Sequence, residues 1–248
     1  MGAGLNARPD PATPPLPAPP PLPPGSLPAT REEYLRAWSR LHGDADTGGL
    51  VGRWLGGAYR VARPLARIGA GPDAVTLLGL AVALAVPGVA ALADAAAGGG
   101  RWLLLAAALA AVSGIMDNLD GAVALLTGRA SARGFVLDSA CDRVADAAYG
   151  VALWCAGAPG PLAVTGVAVA WLHEYVRARA AVAGMPDVGV VTVSERPTRV
   201  IVTVMFLLGA GLFPASAGGW ATAGAAAATV VGGAGLLQLA VTVRRRLG

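Results

Sequence analysis

The sequence contains no lysine at all; every one of its 19 basic residues is arginine. Beside so much alanine, glycine and proline, this reads as the codon bias of a GC-rich bacterial genome rather than as chemistry. Charge of either sign is scarce: 14 % of residues are charged, against roughly 25 % in an ordinary soluble domain. The hydrophobic share is 55 % and the mean hydropathy +0.58, which excludes a soluble globular protein and implies an integral membrane one. Cysteine is almost absent. Cys141 and Cys155 fall in one expected helix, where fourteen residues separate their Cα atoms by about 21 Å, too far for a disulfide. No zinc or redox spacing is present. The N-terminus lacks a basic run followed by a short apolar core, so no cleavable leader is expected. The formal charge of +4 is not a nucleic-acid signal, because the arginines cluster at the ends of apolar runs, as the positive-inside rule places them. No long-period repeat is visible.

Residues 1–29 are so rich in proline that neither helix nor ladder hydrogen bonds can form, and a disordered or polyproline tail is expected. Residues 30–70 carry two amphipathic, juxtamembrane helical patterns. In the first, Thr30 precedes Glu32 and Glu33, and Tyr34, Leu35, Trp38 and Leu41 recur at helical steps until Gly48 and Gly49. In the second, Arg53, Arg60, Arg63 and Arg67 interleave with Trp54, Leu55, Tyr59, Val61 and Leu65. That pattern suits a helix lying in the headgroup layer, with Pro64 as a candidate kink. Residues 71–248 are expected to form an all-α bundle of six transmembrane helices, over about 72–93, 102–126, 134–156, 162–182, 200–215 and 220–243. Arg101 is the one basic residue in the far-side loops. Arg129, Arg133, Arg177, Arg179, Arg196, Arg199 and Arg244 to Arg246 lie on the near side, so both termini are expected on the cytoplasmic face. Small residues crowd the last span and admit close helix packing, including across a homodimer.

Five aspartates nevertheless lie between residues 116 and 146, in the middle of this apolar chain. Charge inside a membrane-length segment is costly and usually marks function. Asp117, Asp120, Gly121 and Ala124 share one helical face; Gly134, Asp138 and Asp142 share a face of the next helix. The short turn between them lets the four carboxylates converge just below the membrane surface. Four carboxylates in a low-dielectric site require either protonation or divalent cations. Oxygen ligands without histidine or cysteine favour a hard ion, Mg²⁺ or Mn²⁺. The small residues on the same faces let a phosphate-bearing ligand approach the backbone. Together these features point to two-metal phosphoryl transfer. An intramembrane ion-pair network with Arg143 and Arg133 is the structural alternative, and Asp146, on the same face, reads as a pore-facing or helix-pairing residue.

These residues resemble the signature of the CDP-alcohol phosphatidyltransferases, D-x2-D-G-x2-A-R-x8-G-x3-D-x3-D. Seven of its eight fixed positions are matched, by Asp117, Asp120, Gly121, Ala124, Gly134, Asp138 and Asp142; Leu125 stands where the pattern has arginine. Pro72 to Thr76 is similar to the start of the family's first span, with Asp73 in place of asparagine. The resemblance implies that Asp117, Asp120, Asp138 and Asp142 hold two divalent ions and that Asp142 is also the base for the acceptor hydroxyl. It implies further that Gly121, Ala124, Ser131 and Gly134 lie along the CDP moiety. The implied reaction moves a phosphatidyl group from a CDP-linked lipid, such as CDP-diacylglycerol, to an alcohol, with release of CMP.

A second polar cluster, His173 to Arg179 and Ser194 to Arg199, falls at the same membrane face. Arg177, Arg179, Arg196 and Arg199 are candidates for binding an anionic acceptor. The Y-x-R-A-R-A and E-R-x-x-R runs are similar to those of the family's bacterial inositol-phosphate branch; glycerol phosphate or phosphatidylglycerol are the other acceptors in view. Glu195 is expected to pair with Arg196 or Arg199. Rival readings are a member of the family without catalysis, suggested by Leu125, and a carboxylate-based transporter, which would want broken helices or inverted repeats.

Overall fold

A computed structural model describes residues 30–41, 46–95, 98–185 and 191–247; the proline-rich stretch lies outside them. Among the described residues there is no strand. The chain forms α1 (Arg31–Leu41), α2 (Gly49–Arg67), α3 (Pro72–Ala95), α4 (Gly99–Thr127), α5 (Ala132–Cys155), α6 (Gly160–Val182) and α7 (Arg196–Leu212). A 3-10 turn at Pro214–Ser216 then leads into α8 (Ala217–Leu247).

The local chemistry at the element ends is legible. Thr30 and Glu33 form a reciprocal cap on α1: the Glu33 amide donates to Thr30 Oγ1, and the Thr30 amide to Glu33 Oε2, each at 3.2 Å. Pro64 lies inside α2 without ending it. Gly128 ends α4 at φ 65, a left-handed conformation that favours glycine, and the Arg129 amide closes the turn onto the Ala124 carbonyl. Ser131 then caps α5, its Oγ accepting from the Gly134 amide at 3.0 Å. The fifth expected span is shifted: α7 begins at Arg196 and ends at Leu212, because Pro197 suits a first helical turn.

Among the described residues, three segments are long and apolar enough to cross a membrane by composition alone, Pro72–Asp94, Gly99–Thr127 and Pro214–Leu247. α5 and α6 carry too many charges for that description and α7 is short, at 17 residues. The outward faces of the bundle are apolar all the same. Leu78, Leu84, Val112, Val151, Val164, Ile201 and Leu237 are exposed, a surface suited to lipid rather than to water.

The core is built from small side chains. Ala83, Ala90, Ala106, Ala110, Ala152, Ala210 and Ala221 are buried around Leu103, Tyr149 and Leu207, so the helix backbones approach closely. A Cβ on Gly114 of α4 would fall 2.6 Å from Val200 Cγ1 of α7. In α8, a Cβ on Gly224 would meet Phe206, and one on Gly235 would meet Ser194, so part of the last helix's small-residue surface is used within the chain.

The packing order creates the site. α3 packs along both α4 and α5, while α4 and α5 barely touch each other; α4 packs instead on α7, and α6 on α8. The two aspartate-bearing helices therefore stand apart, with α3 as floor and the start of α7 as the opposite wall. Leu125 is buried in the cluster that includes Tyr34, Leu55, Tyr59 and Ala62 of α1 and α2.

Candidate active site

The cleft between α4 and α5 opens towards their connecting turn. Asp120 and Asp138 lie about 10 Å along their helices from it, Asp117 and Asp142 about 15 Å. Asp117, Asp138 and Asp142 each present an oxygen within 4.8 Å of the others. Asp120 borders the same small cavity, with room of about 10 Å³, the scale of one water or a bare ion. Its Oδ2 accepts from the Thr76 hydroxyl at 2.6 Å and its Oδ1 from the Gly121 amide at 2.6 Å, which fix its orientation. Beneath them the Tyr149 hydroxyl donates to Ser113 Oγ and the Ser113 hydroxyl to the Gly79 carbonyl, both at 3.0 Å. These bonds join α5, α4 and α3 under the carboxylates.

Arg196, at the first turn of α7, places one guanidinium among these acids: Nε lies 2.9 Å from Asp117 Oδ1 and Nη1 2.8 Å from Asp142 Oδ1. Even with Arg143 3.7 Å from Asp142, two positive charges do not balance four carboxylates. Among the described residues, Asp138 Oδ1 is buried with no hydrogen-bond partner. An oxygen-only donor set, clustered around an ion-sized space and short of positive charge, fits hard divalent cations. A Cβ on Gly121 would meet nothing within 4 Å, so the cleft is open along this face of α4. Ala124 is half-buried one turn on, and Gly134 faces Asp73 Oδ1 and Ser131 Oγ at the start of α5.

A second, wider cavity of about 700 Å³ adjoins the first, between α5, α6 and the start of α7. Arg143, Arg177, Arg196 and Arg199 line it, together with Glu174 and Glu195. Arg179 does not: two residues beyond Arg177, it turns to the other side of α6 and is exposed. Asp142 and Arg196 border both cavities.

The expected partner of Glu195 is corrected. It pairs with Arg177 at 2.6 Å, not with Arg196 or Arg199, because residues 191–195 fold back over the end of α6. The same carboxylate accepts from the Thr192 amide at 2.8 Å and the Thr192 hydroxyl at 2.9 Å. Burial would raise this carboxyl; the Thr192 bonds and the Arg177 charge outweigh it and hold it below the usual range. His173 is fully buried, with Nε2 3.1 Å from Thr192 Oγ1 and Nδ1 3.5 Å from Glu174 Oε1.

Of the expected ion-pair network, Arg143 takes part and Arg133 does not. Arg143 lies 3.3 Å from Asp146 and 3.7 Å from Asp142, whereas Arg133 is exposed. Asp146 is a helix-pairing residue: it is almost fully buried and reaches Arg199 of α7 at 3.4 Å. Sequence reasoning passed over Thr76 as the partner of Asp120, although a threonine in an apolar span was a signal. Glu174 was legible only as one of the second polar cluster, because no spacing rule gives it a partner.

Known proteins resemble this chain in sequence and share its fold. The phosphatidylinositol phosphate synthase of Mycobacteroides abscessus is 37 % identical over 164 residues, covering 62 % of this chain and 69 % of that protein. The archaetidylinositol phosphate synthase of Methanothermobacter thermautotrophicus is 39 % identical over 149 residues, 58 % of this chain and 69 % of that protein. Among solved structures, Mycobacterium tuberculosis phosphatidylinositol phosphate synthase with CDP-DAG bound shares the fold. Its TM-score is 0.58 at 24 % identity, covering 73 % of this chain and 92 % of that one. The same enzyme in complex with manganese and citrate also gives 0.58 at 24 %, covering 73 % and 88 %. The family model described as CDP-alcohol phosphatidyltransferase matches residues 70–232, which contain every carboxylate of the cleft, and the chain belongs to that family.

Proposed function

We propose that this protein transfers a phosphatidyl group from CDP-diacylglycerol to the hydroxyl of a small phosphorylated alcohol, inositol phosphate by preference over glycerol phosphate, with release of CMP. The observation that carries this reading is the place of Asp142. It borders both the ion-sized carboxylate cavity and the arginine-lined one, which is where an acceptor hydroxyl must meet a donor phosphorus. The named relatives that act on inositol phosphates, and the solved neighbour with CDP-DAG bound, support the choice of substrates.

In this reading Asp142 takes the proton of the acceptor hydroxyl. The acceptor oxygen bonds to the β-phosphorus as the bond from that phosphorus to the bridging oxygen breaks, and CMP departs with the bridging oxygen. Mg²⁺ or Mn²⁺ held by Asp117, Asp120, Asp138 and Asp142 would supply charge neutralisation for the diphosphate. Gly121 and Ala124 leave room for the nucleotide, Ser131 and Gly134 border its end of the cleft, and Arg177, Arg196 and Arg199 receive the acceptor's phosphate.

The six helices α3 to α8 are taken as spans of a bacterial plasma membrane, with the cleft at the cytoplasmic end beside both termini. Among the charges that exclude α5 and α6 from a purely apolar description, Asp138, Asp142, Arg143, Glu174 and Arg177 line the two cavities, while Arg133 and Arg179 are exposed near the helix ends. α2 supports the orientation. Trp54, Val61 and Ile68 form an exposed apolar stripe, at seven-residue steps, beside the exposed Arg53, Arg60 and Arg67. Such a face suits the headgroup layer.

The test is CMP release by the purified protein in detergent, with CDP-diacylglycerol, Mg²⁺ or Mn²⁺ and one alcohol at a time. CMP with inositol phosphate alone is the expected result; CMP with glycerol phosphate or phosphatidylglycerol alone reassigns the acceptor. No CMP with any alcohol, despite metal-dependent CDP binding, favours a member without catalysis.

A further inference from the structure

The wider cavity holds an anion of its own. The Glu174 carboxylate projects from α6 into the middle of the arginine set: Oε1 lies 3.1 and 3.2 Å from Arg199 Nη1 and Nη2 and 3.5 Å from Arg143 Nη1. Its other oxygen lies 3.7 Å from Arg177 Nε. The side chain is 24 % exposed, on the cavity wall rather than behind it. Three guanidinium groups from two helices and the start of a third thus converge where the phosphate of an acceptor would be received.

A carboxylate in that place either holds the arginines in position or competes with the acceptor. The arginines' other partners decide between the two. Arg177 is bound to Glu195 at 2.6 Å. Arg199 donates to the Ser194 carbonyl at 3.1 Å and lies 3.4 Å from Asp146. Arg143 lies 3.3 Å from Asp146. Each arginine therefore keeps an anchor when Glu174 is neutralised, and what changes is the positive charge available to the cavity.

We infer that Glu174 is a specificity-determining residue, an internal anion that the phosphate monoester of the acceptor must displace from Arg177 and Arg199. This rests on the proposed reading of the cavity as the acceptor site. A dianionic phosphate, with three acceptor oxygens and twice the charge, outcompetes one carboxylate; a neutral alcohol or a monoanion does not. Discrimination between phosphorylated and plain alcohols then comes from exchange of one anion for another, at some cost in affinity.

The test is Glu174→Gln, which keeps shape and one acceptor oxygen but removes the charge; a thermal melt in the same detergent checks folding. Inorganic phosphate is titrated calorimetrically into wild type and variant. The expected result is binding about tenfold tighter in the variant, appearance of acetate binding, and a KM for the phosphorylated alcohol lowered by a similar factor with kcat within about twofold. Weaker or unchanged phosphate binding overturns the proposal and leaves Glu174 a positioning residue. Glu174→Thr serves the same comparison if the glutamine variant does not fold. Arg199→Gln should abolish the added phosphate heat, and its persistence would put the anion elsewhere and overturn the proposal. The calorimetry does not depend on turnover. Wild-type protein that makes no CMP while Glu174→Gln still tightens phosphate binding refutes the proposed reaction and spares the anion site.

Discussion

Asp142 is the residue at which two demands meet. Its Oδ1 faces Arg196 and it shares an ion-sized space with Asp117 and Asp138, yet it also borders the wide cavity. Replacement by asparagine keeps volume and removes both a base and an anionic ligand. Asp142→Asn is expected to lower CMP release by a factor of about 10² to 10⁴, the usual worth of a positioned general base, with helicity by circular dichroism unchanged. Turnover near the wild-type rate in that variant would remove Asp142 from the reaction. The residue scale is also where sequence and structure agree least evenly. The aspartate spacings were readable because helical periodicity dictates which side chains share a face. The partner of Glu195 was not, because it depends on how residues 191–195 return across α6, a tertiary matter that no local pattern records; Arg179's place away from the cavity follows instead from its two-residue offset from Arg177 on one helix.

Helix ends carry much of what positions these side chains. The α4–α5 connection is short because a glycine in left-handed conformation stops one helix and a serine cap starts the next within four residues, Gly128 to Ser131. Ser131→Ala removes the acceptor for the Gly134 amide and is expected to cost about 1 kcal/mol, read as a lowered thermal midpoint in detergent. The segment ahead of α7 is fastened differently. The Val193 amide donates to Gln238 Oε1 of α8 at 2.9 Å, while Glu195 binds Thr192 and Arg177. Since the folded Glu195 carboxyl lies below its ordinary value of 4.5, its contribution is complete above that pH and is lost as pH falls through the lower, folded value. Thermal midpoints of wild type should therefore drop more steeply below pH 4.5 than those of Glu195→Gln, and parallel curves would show that the pairing contributes nothing.

The molecule as a whole is a bundle whose apolar outside was legible from composition and whose divided inside was not. Membrane-length runs announced α3, α4 and α8. The separation of α4 from α5 arises because α3 packs between them and α7 closes the far side, a consequence of alanine and glycine contacts spread over four helices. That separation makes folding and cation binding interdependent, since the carboxylates repel until neutralised. A chelator is expected to lower the thermal midpoint and Mg²⁺ or Mn²⁺ to restore it. Linkage predicts about 2.7 kcal/mol at a hundredfold excess over Kd, and a smaller rise in Asp138→Asn.

The two cavities share α5, Asp142 and Arg196, yet the rest of each comes from a different stretch of chain. The carboxylate floor and walls come from α3, α4 and α5, whereas Glu174, Arg177, Glu195 and Arg199 all lie within one short run of sequence from late α6 to the first turn of α7. Such a layout behaves like a fixed motor with an interchangeable socket. Drift in that run, Arg196 apart, can retune which alcohol is accepted while the carboxylate apparatus stays untouched, and new headgroup chemistries become reachable by local change alone.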